Sequence, residues 1–270
     1  MNGMITDRVV VAVARLSAPT RRRFFVKSQL LYYTEFTMGQ IGETPQMCYH
    51  RPVIQLLLAT HNQGKLAEFS SLLRDLPIQV VGAGDLGLLV PVEESGATYG
   101  ENARLKAEAL LHASGLPTLG DDSGLEVDAL NGAPGLHSAR YAGHGASDRD
   151  RWQLLLARLA GVPWQKRTAR FRCVLALAVP GGATHTVEGT CEGFIALEPR
   201  GEKGFGYDPV FFLPGQQCTM AQLTSEAKNQ ISHRANAVRA LRRILESYVA
   251  AGGLMSARQA PVPKAEGWDA

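Results

Sequence analysis

The chain has 270 residues, 45% of them hydrophobic and 20% charged, enough to bury a full core as one large domain or two smaller lobes. No apolar run approaches the roughly 20 residues that a membrane-spanning helix needs, and Cys48, Cys173, Cys191 and Cys218 are scattered without zinc or disulfide spacing, which fits a reducing cytoplasm. The net charge of +3 comes from residues 1–52, where seven basic groups meet three acids, a surplus of four; the remainder carries −1 and lacks the clustered cationic face that nucleic-acid binding requires.

Residues 1–52 have no clear period, contain Arg21-Arg22-Arg23, and offer Met38 and Met47 as alternative starts. They read as an appendage, a disordered leader or an over-long start; a targeting peptide is the other reading, although no signal-peptide apolar region is present. From Val53 to Ala59 the run is continuously apolar, as in a strand buried on both faces. A helix follows from about Lys65 to Asp75, with Leu66, Phe69, Leu72, Leu73 and Leu76 on one stripe. Ile78 to Gly82 is a second strand, and Glu101 to Ser114 a helix that Gly115 can close. Pro117 to Gly120 then leads as a strand into Asp121-Asp122, which a Ser-Gly turn follows. Ser147 with Asp150 makes a capping box for the next helix. Thr168 to Val179 and Thr184 to Cys191 read as paired strands about the Pro180-Gly181-Gly182 turn. A last helix starts near Ser232, with Val238, Leu241, Leu245 and Val249 inward, before a loose tail over residues 251–270. The order is that of an α/β chain.

Four segments have residue types suited to chemistry. Thr60-His61-Asn62-Gln63-Gly64-Lys65 joins a strand to a helix, where unpaired backbone N–H groups, a glycine and a lysine suit a phosphate. It is not a Walker A loop, because Ala59 and Leu66 stand at that motif's outer positions. Asp121 and Asp122 offer one site a metal ligand and a general base for splitting a phosphoanhydride, and the residues alone leave open which acid does which. Glu93, Glu94 and Glu101 are further candidates for the metal shell. Gly204-Phe205-Gly206-Tyr207-Asp208-Pro209 places aromatic rings where a flat ligand can stack. Lys228 and Ser232-His233-Arg234, taken to open the last helix, suit an anion or a base carbonyl. Each segment also has a plain structural reading, as a cap, a turn or a core filler. Together they describe a site for one nucleoside triphosphate.

Over about residues 54–250 these motifs, in the order T-x-N-x-G-K, E-[ST]-G-x-[ST]-[FY]-x-E-N-A, D-D-S-G-L-x-V-D-x-L-x-G-x-P-G, S-A-R-Y, G-F-G-Y-D-P-x-F and S-H-R, resemble the inosine triphosphate pyrophosphatases. The resemblance implies Mg²⁺-dependent hydrolysis of ITP, dITP and XTP to the monophosphate and pyrophosphate, with cleavage between the α and β phosphates. It implies an elongated two-lobed α/β fold around a long central mixed sheet, a nucleotide cleft between the lobes, and a homodimer. By position, Thr60, His61, Asn62, Gln63, Gly64 and Lys65 would bind the triphosphate. Asp122 would accept the proton of the attacking water and lie beside the metal, with Glu94, or else Glu93, as the metal-associated glutamate. Ser123 would touch the substrate. Phe205, Gly206, Tyr207 and Asp208 would hold the base and sugar, and Lys228, His233 and Arg234 would complete the base pocket. Two other readings stay open at this point: a pyrophosphatase for modified pyrimidine nucleotides, and a non-catalytic nucleotide or RNA binder.

Overall fold

The computed structural model describes residues 53–88 and 90–252; the readings of the leader, residues 1–52, and of the tail beyond residue 252 lie outside the described residues. Strand β1 (Ile54–Leu58) is apolar on both faces because helices cover both: Leu56 and Leu58 enter one core, and Leu57 enters another. It pairs in parallel with β2 (Ile78–Gly82) on one side and β3 (Thr118–Val127) on the other. From β3 onward every pairing is antiparallel, through β4 (Thr168–Ala178), β5 (His185–Ile195), β6 (Phe211–Leu213) and β7 (Cys218–Thr219). Among the described residues this makes one seven-stranded mixed sheet in the order β2-β1-β3-β4-β5-β6-β7, and the chain is α/β.

Helices α1 (Gln63–Leu72) and α5 (His233–Ala250) cover one face, where Leu56, Phe69, Leu119, Leu175, Val238 and Leu241 share a core. Farther along that face, α3 (Asp148–Arg158) packs Leu155 against Leu125 and Phe171 in a second core. Helix α2 (Tyr99–Ser114) covers the other face through Ala103 and Ala107, against Val174, Ala176 and Ala178. The expected caps are present. Ser147 and Asp150 form the capping box of α3, and Gly115 ends α2 at φ 70°.

Two expectations are corrected. The strand into the acid pair does not stop at Gly120. It runs to Val127, so the Ser-Gly pair lies in a strand and not in a turn. Lys228 does not open the last helix; it belongs to a separate short helix, α4 (Ser225–Ile231), and Ser232 both ends α4 and caps α5. The short strands β6 and β7 carry too few residues for an alternation to be read.

One dimension of the sheet creates the site. The β1–β3 pairing ends at Leu58 opposite Leu119. Beyond that point β3 continues with an open edge beside the Thr60–Lys65 loop, and Asp121 and Asp122 follow at once. A crevice at the carboxyl end of a parallel strand is where α/β sheets commonly bind ligands.

Gly120 lets α2 approach that strand. A Cβ there would lie 2.1 Å from the Ala103 carbonyl oxygen, which is backbone and cannot rotate away. Gly120→Ala is expected to lower stability by about 1–3 kcal/mol through overpacking, read as a lower urea midpoint. Gly84→Ala, where a Cβ meets nothing within 4 Å, should leave the midpoint nearly unchanged.

Candidate active site

Because residues 118–127 are extended, neighbouring side chains point to opposite faces of the sheet. Asp121 faces α1 and α5, and Asp122 faces α2. The two acids, which the sequence reading placed in one site, each hold their own cations at the same open edge.

On the α5 face, one carboxylate oxygen of Asp121, Oδ2, receives Lys65 Nζ at 2.9 Å and Arg234 Nε at 3.1 Å. The Ser123 hydroxyl donates to Oδ1, as does the thiol of Cys173 at 3.4 Å. Burial alone would raise the pKa of Asp121, but Lys65, Arg234 and the Ser123 hydrogen bond outweigh it and hold the carboxyl well below its ordinary value. Arg234 continues to Glu68 of α1 at 3.0 Å, and Glu68 holds Lys228 at 2.7 Å. Lys228 in turn pairs with the buried Asp208, whose Oδ2 accepts the Phe205 backbone N–H at 3.0 Å.

On the α2 face, Lys106 Nζ bridges two carboxylates, Asp122 at 2.8 Å and Glu94 at 3.2 Å. Asn102 donates to Asp122 at 3.4 Å and accepts the Gly96 N–H at 2.8 Å, which ties the loop carrying Glu94 to β3. Arg140 lies 3.8 Å from Glu94. Burial raises the pKa of Asp122, with the Glu94 charge adding to it against the pull of Lys106. Burial would lower the pKa of Lys106, yet Asp122 and Glu94 raise it, so the ammonium stays charged.

The phosphate-type loop forms as expected. The Thr60 hydroxyl accepts the Asn62 N–H at 3.1 Å, and Asn62 Oδ1 caps α1 by accepting the Lys65 N–H at 3.1 Å. His61, Asn62 and Gln63 are exposed, while Gly64 lies so close to Phe205 that a Cβ would come 2.6 Å from the ring. Phe205 also has Lys228 Nζ 4.9 Å and Arg234 Cζ 5.2 Å from its ring centroid. The aromatic loop thus meets the phosphate-type loop and the cations directly. Between α1, residues 203–205 and α4 lies a cavity of about 310 Å³, lined by Gly64, Glu68, Phe205, Met220 and Lys228. A broader hollow of about 620 Å³ near Asp128, Pro163 and Thr168 is remote from these groups.

Several expected residues are placed differently from the sequence reading. Tyr207 is core: it is buried, and its hydroxyl donates to the Ser138 carbonyl at 2.9 Å, so of the two rings in that loop only Phe205 faces the cations. The Gly206 N–H is held by Asp148 at 2.6 Å. Glu101 accepts the Ala97 N–H at 2.6 Å and serves the start of α2, not a metal shell. Glu94 pairs with Lys106, and both Glu94 and Glu93 are exposed. His233 stacks on Phe171, centroids 4.7 Å apart, and its buried Nδ1 has no hydrogen-bond partner among the described residues. Burial, with Arg234 beside it, lowers the pKa of His233 well below its usual value, so the imidazole is neutral at pH 7. Sequence reasoning missed Glu68, Asn102 and Lys106.

Comparison with known proteins shows the family to which the chain belongs. The sequence model described as the Ham1 family matches residues 56–244. The chain is 48% identical over 193 residues to the dITP/XTP pyrophosphatase of Bacillus subtilis (strain 168), covering 72% of this chain and 98% of that protein. It is 50% identical over 199 residues to the protein of the same name in Geobacillus kaustophilus (strain HTA426), covering 74% and 98%. Among solved structures it is similar to the Staphylococcus aureus Ham1 protein (TM-score 0.64, 45% identity, 71% of this chain and 98% of that one). It is also similar to a HAM1 protein from Coxiella burnetii (TM-score 0.65, 44% identity, 72% and 98%).

The depressed pKa of Asp121 has a consequence for stability. A carboxylate whose folded pKa lies below its unfolded value of 3.8 stabilises the fold above that pH, and the contribution is lost as pH falls below it. Denaturant titrations from pH 5 to 3 should therefore show a shallower loss of stability for Asp121→Asn than for the native chain.

Proposed function

Because the chain belongs to the Ham1 family, we propose that it hydrolyses non-standard purine nucleoside triphosphates, ITP, dITP and XTP, to the monophosphate and pyrophosphate. This removes them from the nucleotide pool before they enter DNA or RNA. The observation that supports the reading best is the pair of consecutive buried acids, each on its own cations, at the open edge of β3 beside the N-terminus of α1. Phosphate oxygens are met there by Lys65 and the first-turn N–H groups of α1. The base is taken by Phe205, Lys228, His233 and Arg234.

Asp122 is the proton acceptor. Its partners Lys106 and Asn102 hold it in place at the open edge of β3. It takes a proton from the attacking water as oxygen bonds to the α-phosphorus. The bond from that phosphorus to the bridging oxygen breaks, and pyrophosphate leaves with the bonding electrons. Asp122 and Glu94 would hold a divalent cation, Mg²⁺ by their hard oxygen chemistry. The fit is visible in the ammonium of Lys106, a cation that both carboxylates already bind. Among the described residues no cluster of three or more His, Cys, Asp or Glu side chains is placed to hold a metal. When bound, the ion neutralises charge on the reacting phosphates.

Base choice follows from polarity. Hypoxanthine and xanthine present a 6-oxo acceptor where adenine presents a 6-amino donor, so the donors of Arg234 and Lys228 are satisfied by the first and left mispaired by the second. The unpartnered Nδ1 of His233 is a buried polar atom of the kind a bound base can satisfy. Residues 53–250 are assigned as the catalytic domain. A cytoplasmic homodimer without nucleic-acid or membrane partners is part of the same reading. The buried thiols of Cys173 and Cys191 are free, as in a reducing compartment; no helix among the described residues is long and apolar enough to cross a membrane.

Incubation with dITP, XTP, GTP, dUTP and dTTP, with product analysis, tests the proposal. Release of pyrophosphate and no orthophosphate from dITP, abolished by excess chelator, is the expected result; preference for a pyrimidine would overturn it. Asp122→Asn is expected to lower kcat by about 10² to 10⁴ with KM little changed, the usual size of a lost general base.

A further inference from the structure

We propose that Asp121 is a positioning residue that couples the two ends of the substrate pocket, so that filling the phosphate end strengthens the base end. The proposal rests on the reading of the pocket given above. Its origin is the sharing of one oxygen: Asp121 Oδ2 receives both Lys65, from the phosphate-type loop, and Arg234, from the base pocket.

From that oxygen an unbroken row of alternating charges, Lys65, Asp121, Arg234, Glu68, Lys228 and Asp208, runs to the backbone N–H of Phe205. The inner members are shielded from water. The side-chain exposure of Asp121 is 0% and that of Arg234 is 5%, so neither salt nor solvent screens their attraction much. Lys65, at 18%, is the most exposed member of the row, with Glu68 next at 13%.

The carboxylate itself cannot turn to follow a moving partner. Its other oxygen is held by the Ser123 hydroxyl and the Cys173 thiol. When a phosphate draws the Lys65 ammonium away, Asp121 Oδ2 keeps only Arg234. A shared acceptor that loses one donor binds the remaining one more strongly, and the guanidinium is held more firmly in the orientation it presents to the base. Linkage makes the effect reciprocal: a base that binds only the firmly held orientation of Arg234 favours, by the same free energy, the state in which Lys65 has left Asp121 for a phosphate.

The test separates the two ends. The full chain is titrated with inosine by calorimetry, with and without saturating pyrophosphate and Mg²⁺; these two probes leave the α-phosphate position empty and do not overlap. Pyrophosphate is expected to tighten inosine binding about fivefold or more, at the low end of ordinary coupling between sites, and inosine to tighten pyrophosphate by the same factor. In Asp121→Asn, which keeps shape and removes charge, each probe still binds alone but the factor falls to one. Arg234→Lys, which keeps charge and loses the Nε donor, removes the enhancement from the other side and serves where the first variant does not fold. No enhancement in the native chain, or an undiminished one in the folded Asp121→Asn, overturns the proposal. Turnover of dITP by the native chain separates the cases. Turnover without enhancement removes only the coupling, whereas neither turnover nor inosine binding removes the reading of the pocket and the coupling with it.

Discussion

Two consecutive side chains in an extended strand cannot face the same way, and the rest of the site is arranged around that constraint. Asp121 and Asp122 leave β3 on opposite faces, toward α1 and α5 in one case and α2 in the other. Each buried carboxylate needs its own cations, since an unpaired charge in the interior carries a large desolvation cost. Lys65 and Arg234 answer the first, and Lys106 answers the second. The shortness of β1 then decides access. Its pairing with β3 ends at Leu119, two residues before the first acid, so the edge that a longer strand would have covered is left to the loop from Thr60 to Lys65.

Close backbone approach keeps these cations in reach. Gly120 brings α2 down until a Cβ would strike the Ala103 carbonyl, and the same helix carries Asn102 and Lys106. Gly189 does the equivalent for α5: a Cβ there would lie 2.2 Å from the Ala237 nitrogen and 2.4 Å from the His233 carbonyl oxygen. The start of α5, and with it Arg234, is thereby pressed onto β5. Small residues in the strands thus set where the charged residues of the helices arrive.

Much of this was legible in the sequence. The apolar run of β1, the Ser147 cap, the closing Gly115 and the inward stripe of α5 all obey local rules that tertiary packing did not override. The motif order that resembles a known family pointed to segments that the fold brings together at the open edge of β3. What it could not give was partnership. Glu68 and Lys106 sit on helices, where a lone charge usually faces water. The available signal was position: Lys106 falls beside Ala103, Ala107 and Leu110 on the buried stripe of α2, and Glu68 precedes the buried Phe69. Lys228 was misplaced because α4 has seven residues and shares Ser232 with α5, so no period separates the two helices. Tyr207 looked like Phe205 in the sequence and differs only in what lies beneath it, the Ser138 carbonyl from a distant turn.

The division of labour between the two acids is open to direct observation. A crystal structure of the chain with Mg²⁺ and a non-hydrolysable dITP analogue should show the α-phosphate and its water beside Asp122 on the α2 face. The hypoxanthine should lie against Phe205 with Arg234 still on Asp121. A metal and water held by Asp121 instead, with Asp122 remote from the α-phosphate, would contradict the account.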